Sequence, residues 1–372
     1  MKLPEGWKEV ELGDVLDYEQ PTDYIVNSED YSDEYKTPVL TAGKSFILGY
    51  TDEKDGIYNK LPVIIFDDFT VASKYVTFPF KVKSSAMKLL TPKNKDVNLK
   101  YIFWLMQTIK VNSVSHKRYY LSKYQRIRIP FPPFSTQQKI VSILEKAAEA
   151  KERRKEANEL TKDFLKVVFM EMFLNSKNNF QMKEISEICE TSSGGTPSRD
   201  KKEFWENGKI LWVKSGELDR GYIYDTEEKI TELALKNSSA KYFEPDTVLL
   251  AMYGATVGKA ALLKVKATTN QAICGIRPKN KNNLNSIYLL HLLFSLKERL
   301  ISKSIGGGQP NISQLIIKET KIPLPPIELQ NKFAAIVKEV EQLKEQQKHS
   351  KEQIDNLFNV LMQKAFKGEF VE

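Results

Sequence analysis

The phrase RIPFPPFSTQQK, residues 128–139, returns as KIPLPPIELQNK at residues 321–332. Laying residues 126–173 over 319–366 keeps a constant offset of 193 with no gap. Ile129-Pro130 then meets Ile322-Pro323, Pro132-Pro133 meets Pro325-Pro326, Gln137 meets Gln330 and Phe173 meets Phe366. Upstream, YIFWLMQT from Tyr101 falls on YLLHLLFS from Tyr288, Phe80-Lys81-Val82-Lys83 on Leu263-Lys264-Val265-Lys266, and Leu12 on Ile185 at an offset of about 173. The chain is written twice, and copies of this size are domains, not solenoid units.

Proline fixes φ and disfavours helical geometry in the residue before it, so IPFPP and IPLPP are stiff, extended segments. A helical pattern begins at once, and Ser135-Thr136-Gln137-Gln138 predicts a capping box with Ser135 at the N-cap. Apolar residues spaced alternately by three and four continue as Phe333, Ile336, Val340, Leu343, then Leu357 and Leu361. The first copy has Ile140, Ile143, Ala147, then Phe164 and Val168. Both runs are broken by polar residues at their middle, Arg154 and Thr161 in one and Gln347 and Ser350 in the other. This is a heptad seam over about four heptads, on helices roughly 45 to 60 Å long at 1.5 Å per residue. A pseudo-two-fold repeat lays two such helices antiparallel. The expected fold class is α+β, two β-rich heads held apart by a helical rod, with heads at 1–134 and 176–327 and helices at 135–175 and 328–372.

The totals agree with two domains. The chain has 372 residues, 41% apolar and 28% charged, with a formal net charge of +8 that suits a polyanionic partner. Cys189 and Cys274 are the two cysteines, too few and too far apart for a disulfide framework or a thiolate metal site. No window approaches 18 uninterrupted apolar residues and the start MKLPEGWKEVEL has no apolar signal core, so the expectation is a soluble, cytoplasmic protein with no membrane partner.

Short runs rich in β-branched residues, among them PVLTAG, LPVIIF, ILWVKSG and NQAICGI, precede each rod, with one helix near the end of each head, at 99–110 and 284–303. Enzymatic signatures are missing. Phe131-Pro132-Pro133-Phe134 is similar to the Asn/Asp-Pro-Pro-aromatic loop of amino-methyltransferases, but Phe131 and Leu324 stand where the polar acceptor would be. Gly254-Ala-Thr-Val-Gly258-Lys259 is one residue short of a P-loop and has Ala260 in place of the magnesium-binding hydroxyl. His116, His291 and His349 are scattered, and His291 lies in an apolar helical stretch, which suits a packed residue better than a ligand. No catalytic or metal site is expected.

What remains is Lys, Asn, Gln and Tyr on glycine-containing loops, the types that meet phosphates and base edges. In the second half these are Lys214, Tyr253, Thr256, Lys259, Asn270, Gln271, Gln309 and Asn311. In the first they are Lys44, Lys74, Lys117, Arg118, Tyr119, Tyr120 and Lys123. Any one of them reads equally well as an ordinary solvated loop residue; recurrence on loops of both copies favours contact. If these loops meet a nucleic-acid backbone, Lys259→Ala is expected to weaken that binding and lower its salt slope by about one unit.

Along essentially its whole length the chain resembles the specificity subunit of type I restriction-modification systems. The residues that carry this are Gly195-Thr196-Pro197, Leu211-Trp212-Val213-Lys214, TVLLAMYGATVGKAALL, Thr269-Asn270-Gln271-Ala272, and GGGQPNIS from Gly306 running on to IPLPP. The first half departs from this pattern, with FDDFTVASKY in place of AMYGATVGKA and HKRYYLSKY in place of GGGQPNISQ. The resemblance implies two target recognition domains, each reading one half of a split asymmetric site in double-stranded DNA, and a rod that sets the gap between half-sites. It also implies two docked copies of an adenine-N6 methyltransferase subunit and restriction subunits joined through the complex. The chain itself would be a non-catalytic subunit that binds no cofactor, with S-adenosylmethionine, ATP and Mg on its partners. A stand-alone DNA methyltransferase and a coiled-coil adaptor that binds no DNA are the alternatives.

Overall fold

The computed structural model describes residues 3–41, 45–110, 120–174, 179–302 and 311–370, with Lys162 described by its backbone alone. The chain forms two compact units, one of Met1–Glu156 with Lys348–Glu372 and the other of Ala157–Gln347.

The two units are built on one plan. In the first, a four-stranded sheet runs in the order Leu16–Glu19, Met87–Pro92, Val63–Asp67, Ser73–Val76, beside a three-stranded sheet of Ile47–Thr51, Thr37–Leu40 and Lys81–Val82. In the second, the corresponding sheets are Cys189–Ser193, Ile273–Pro278, Val248–Ala251, Ala260–Leu263, with Tyr222–Ile223 added at the edge, and Glu228–Ile230, Ile210–Val213, Thr268–Thr269. The register fixes the equivalences: Asp67 lies opposite Met87 as Ala251 lies opposite Ile273. Lys81–Val82 and Thr268–Thr269 are each the parallel neighbour of the middle strand. This moves one alignment made from the sequence, because Lys81 corresponds to Thr268 and not to Lys264. Two short alternations of Lys and Val had matched by composition alone.

The proline phrases are strands. Arg128–Phe131 pairs antiparallel with Lys8–Glu11, placing Ile129 opposite Val10, and Lys321–Leu324 pairs with Gln181–Glu184, placing Ile322 opposite Lys183. A two-stranded ribbon tolerates Pro130 and Pro323 because a missing N–H there can face outward.

Four helices organise the rest: α1 (Leu99–Met106), α2 (Phe134–Phe169), α3 (Ser286–Ser302) and α4 (Ile327–Lys367). Helix α2 starts two residues earlier than the capping box requires. The N–H groups of Thr136 and Gln137 both donate to the Pro133 carbonyl, so Ser135 lies inside the first turn and caps nothing. The residue that matters is Gln137, which is fully buried. Its Oε1 accepts from the Asn98 N–H at 2.8 Å and its Nε2 donates to the carbonyls of Asp96 (3.0 Å) and Pro132 (2.9 Å). Gln330, equally buried, repeats this in the second unit with Asn285 N–H (2.9 Å), Asn283 O (3.0 Å) and Pro325 O (2.7 Å).

Asn98 and Asn285 in turn cap α1 and α3, their side-chain oxygens accepting from the first-turn N–H groups. Tyr101 and Tyr288, one turn on, donate their hydroxyls to the Pro130 and Pro323 carbonyls at 2.7 and 2.8 Å. The far end of a long helix closes each cluster. Phe366 lies 5.5 Å from Tyr101 between ring centroids, and Phe173 lies 4.8 Å from Tyr288. Gly368, at φ +77°, ends α4 in the left-handed conformation, where a Cβ would also meet the ring of Pro4.

Within the first unit Lys151 binds Asp355 at 2.8 Å, and Ile140, Val141 and Leu144 share one core with Met362 and Ala365. Within the second, Gln347 donates to Thr161 Oγ1 at 2.9 Å, and Leu165, Phe169 and Phe173 share a core with Phe333, Val337 and Val340. Of the seam residues expected from the sequence, Ile140, Phe333 and Val340 are buried, and Ile143, Ala147, Val168, Ile336 and Leu361 are half-buried. Phe164, Leu343 and Leu357 are 47%, 44% and 57% exposed, and this corrects their assignment to the seam. Leu165 and Phe358, their neighbours, turn inward in place of Phe164 and Leu357. The next seam positions, Val168 and Leu361, pack against the cores again, so the misfit at Phe164, Leu343 and Leu357 is local.

Candidate nucleic-acid interface

The strand register gathers the singled-out loops of the second unit at one rim. Ser193 pairs with Cys274, Ala251 with Ile273, and Leu250 with Ala260, so the loops after Ser193, after Ala251 and before Ile273 leave the large sheet at the same end. In the small sheet Val213 pairs with Thr269, which brings Lys214 and Asn270 out together, and the Asn270 N–H donates to the Val213 carbonyl at 3.0 Å. Tyr253 forms a β-bridge with Asn311, and the Ile312 N–H donates to Met252 O at 2.7 Å, fastening that segment to the same rim. Gln271 is exposed and accepts from the Thr196 hydroxyl. Lys214, Tyr253, Thr256, Lys259, Asn270, Gln271 and Asn311 are thus brought together; Gln309 lies outside the described residues.

The P-loop-like segment is a hairpin connection. Gly254–Thr256 is a single 3₁₀ turn between two antiparallel strands, with no helix after it. Gly258, at φ +77°, turns the chain back, and a Cβ there would meet Lys297.

The rim cations are paired. Lys214 Nζ lies 2.9 Å from Glu227 and 3.1 Å from Glu228. The Glu227 and then the Glu228 hydrogen bonds hold its ammonium above the usual lysine range. Both carboxyls are lowered in return, Glu227 first by Lys214 and Glu228 first by Arg199. Lys259 pairs with Asp219. Arg220 binds Glu217 (3.3 Å) and Glu227 (3.0 Å). Glu217 is buried and also accepts from the backbone N–H groups of Lys214 (2.8 Å) and Glu227 (3.0 Å), so it pins the whole acidic segment to the rim.

Sequence reasoning missed Arg199. Its guanidinium stacks 3.8 Å from the Trp205 ring centroid and 4.9 Å from that of Trp212, and bonds Glu228 at 2.5 Å. The cue was an arginine two residues after Gly195-Thr196-Pro197 in a chain with four tryptophans. Among the described residues no group of three or more His, Cys, Asp or Glu is placed to hold a metal ion, and no helix is long and apolar enough to cross a membrane.

The comparisons fit this geometry. A family model described as the type I restriction modification DNA specificity domain matches residues 4–162 and, a second time, 177–356. This chain belongs to the family of type I restriction-modification specificity subunits. It is 38% identical over 353 residues to the EcoR124I/EcoR124II specificity subunit of Escherichia coli, covering 88% of this chain and 84% of that one. Among solved structures, one described as the structural basis of complex assembly and conformational transition of the type I R-M system superposes with a TM-score of 0.64 at 19% identity, over 99% of each chain. The S subunit of M. genitalium superposes at 0.61 with 16% identity, over 98% of each.

The first unit of this specificity subunit keeps the scaffold and changes the rim. Its Val63–Asp67 to Ser73–Val76 connection is shorter. Asp67 accepts from the N–H groups of Phe69 and Thr70 and from the Thr70 hydroxyl, closing a tight turn in which Val71 takes φ +57°. Lys74 is exposed on the second strand, with its ammonium 5.8 Å from the Phe46 ring centroid. Lys123 is exposed. Lys44, Lys117, Arg118 and Tyr119 lie outside the described residues.

Tyr120 requires correction as a contact residue, because it is fully buried. Its ring packs against Phe66 (5.4 Å) and Tyr18 (5.7 Å), its N–H donates to Asp68 at 2.9 Å, and burial pushes its hydroxyl pKa up. Asp68 is in turn paired with Lys88 at 3.3 Å, both almost without exposure. An alternation of cations and aromatics does not say which aromatic plugs the core. His291 is packed as expected, 5.0 Å from Phe333 and 5.5 Å from Phe294, and desolvation lowers its pKa to about 4.

Proposed function

We propose that each unit reads one half of a bipartite, asymmetric site in double-stranded DNA for a type I restriction-modification complex. The observation that carries this is the shared scaffold under unlike rims. The two units share sheet order, elbow and glutamine latch. They differ in the loops after Asp67 and Ala251, where sequence discrimination by side chains would reside. Two heads on one face of a duplex would contact sites about one helical turn, roughly 34 Å, apart or somewhat more.

In this reading the long helices form an antiparallel coiled coil that sets the half-site gap. The contacts Lys151 to Asp355 in one unit and Thr161 to Gln347 in the other support it, since later residues of α2 meet earlier residues of α4. Two copies of an adenine-N6 methyltransferase subunit dock on the complex, and restriction subunits join through it. Leu160 (78% exposed), Phe164 and Val167 (56%) offer one apolar surface on α2 for such a partner. This chain supplies no catalytic group. S-adenosylmethionine belongs to the methyltransferase subunit, which would take the target adenine out of the stack, and ATP with Mg belongs to the restriction subunit.

The test is a map of N6-methyladenine across a genome with and without this gene. Loss of a single bipartite motif is the expected result. An unchanged map in a strain that expresses all three subunits would refute the reading.

A further inference from the structure

Every described cation that the second rim offers in its loops 214–220 and 252–259 is held by a carboxylate of one short segment, residues 217–228. Asp219 takes Lys259, Glu227 and Glu228 take Lys214, and Glu217 and Glu227 take Arg220. Glu217 is buried and accepts from the backbone N–H groups of Lys214 and Glu227, so the backbone that carries these carboxylates is anchored at the rim. Resting on the DNA-reading proposal, we propose that Asp219, Glu227 and Glu228 are specificity-determining residues. They occupy the positions of DNA phosphates on Lys259 and Lys214, and so deny those cations to duplexes whose bases do not match.

The physical reason is counter-ion arithmetic. A free lysine that meets a phosphate releases about 0.9 of a condensed cation from the duplex, which is the source of affinity that ignores sequence. A lysine that must leave a carboxylate gives up most of this gain, because it exchanges one salt-screened ion pair for another. Exposed pairs of this kind are individually weak, so a matched duplex with base contacts can open them while an unmatched one gains nothing by doing so. It follows that Lys259→Ala alone should hardly alter the salt slope, in contrast to the loss of about one unit expected from the sequence. Asp219 conceals the contribution of Lys259.

The experiment uses the full chain with its partner subunits and a fluorescent duplex of unrelated sequence, titrated across salt concentrations. Asp219→Asn should steepen the slope of log K against log salt by about 0.9, which is about eightfold tighter binding at 0.1 M salt than the wild type. Glu227→Gln with Glu228→Gln should steepen the slope by at least as much, because it frees Lys214 and also loosens Arg220 and Arg199. Adding Lys259→Ala to Asp219→Asn should return the slope to the wild-type value.

The control is Asp246→Asn. It removes the same charge, but Asp246 pairs with Lys281 at 2.7 Å and its N–H donates to the Leu263 carbonyl at the opposite end of the strands, so the slope should not move. A silent Asp219→Asn, or an equal shift in Asp246→Asn, overturns the inference while DNA binding by the wild type stands. If the wild-type complex binds no duplex at all, the DNA-reading proposal falls and this one with it.

Discussion

Replacing Gln330 with leucine tests whether the buried amide joins elbow to head. Leucine is of similar bulk, so packing changes little, but three hydrogen bonds go at once. They are the Asn285 N–H into Oε1 at 2.9 Å and the Nε2 donations to Asn283 O at 3.0 Å and Pro325 O at 2.7 Å. At zero exposure water does not replace them. A buried polar group stranded this way costs about 1–3 kcal/mol. The two carbonyls can relax toward other donors, so about 3 kcal/mol in total is a reasonable figure, corresponding to roughly 150-fold in an opening equilibrium. Native-state hydrogen exchange measured peptide by peptide reads this directly. Amides in the first turns of α3 and at residues 326–334 should exchange about 100-fold faster in Gln330→Leu, while α1 and residues 133–141 stay at wild-type rates. Gln137→Leu should produce the reciprocal pattern. Exchange within about threefold of wild type around Asn285 would show that the latch is incidental.

The buried Lys88–Asp68 pair has Cys274 and Met252 as its equivalents in the second unit by strand register. Lys88→Met should destabilise the first unit by about 3–5 kcal/mol in denaturant unfolding, by leaving Asp68 buried without its counter-charge, and Lys88→Met with Asp68→Met should recover part of it, the Tyr120 N–H still lacking its acceptor. Helix phase is tested by an alanine pair. Leu165→Ala, at 5% exposure, should cost about 2–5 kcal/mol and Phe164→Ala, at 47%, less than about 1; the opposite ranking would restore the strict heptad seam. His291, lowered from 6.5 to about 4 by burial, is neutral when folded and takes up a proton on unfolding below pH 6.5. Its contribution is therefore complete above about pH 6.5 and is lost as pH falls toward 4, by at most about 3 kcal/mol. His291→Leu should flatten the wild-type decline of unfolding midpoint across that window.

What the sequence made legible was whatever repeats. Proline phrases, the Gln137–Gln330 correspondence, Tyr101 with Tyr288, and Phe173 with Phe366 all lie at equivalent places because one physical junction is built twice. Their function was not legible, since a glutamine in a helix's first turn looks the same whether it faces water or locks two backbone segments. Phase errors came from extrapolation. A strict 3.5 repeat at 3.6 residues per turn chose Phe164 and Leu357 where the adjacent Leu165 and Phe358 face the cores, although Val168 and Leu361 fall back on them. Tyr120 failed for another reason, because its burial depends on Asp68, 52 residues away in the chain, reaching its N–H.

The rim was the least legible part, and charge explains why. Lys214 and Lys259 are among the 56 cations set against 48 carboxylates, but a total does not show that each is paired with a carboxylate of the same rim. A basic total therefore overstates what this surface offers to a polyanion at rest. If a recognition surface were selected only for affinity, substitutions that removed Asp219 or Glu227 would improve it at once. On the proposed reading, their engagement with Lys214 and Lys259 fits a surface for which indiscriminate binding is a cost. A subunit that reads one bipartite site, as proposed, would bear that cost, because competing non-specific sites vastly outnumber its own.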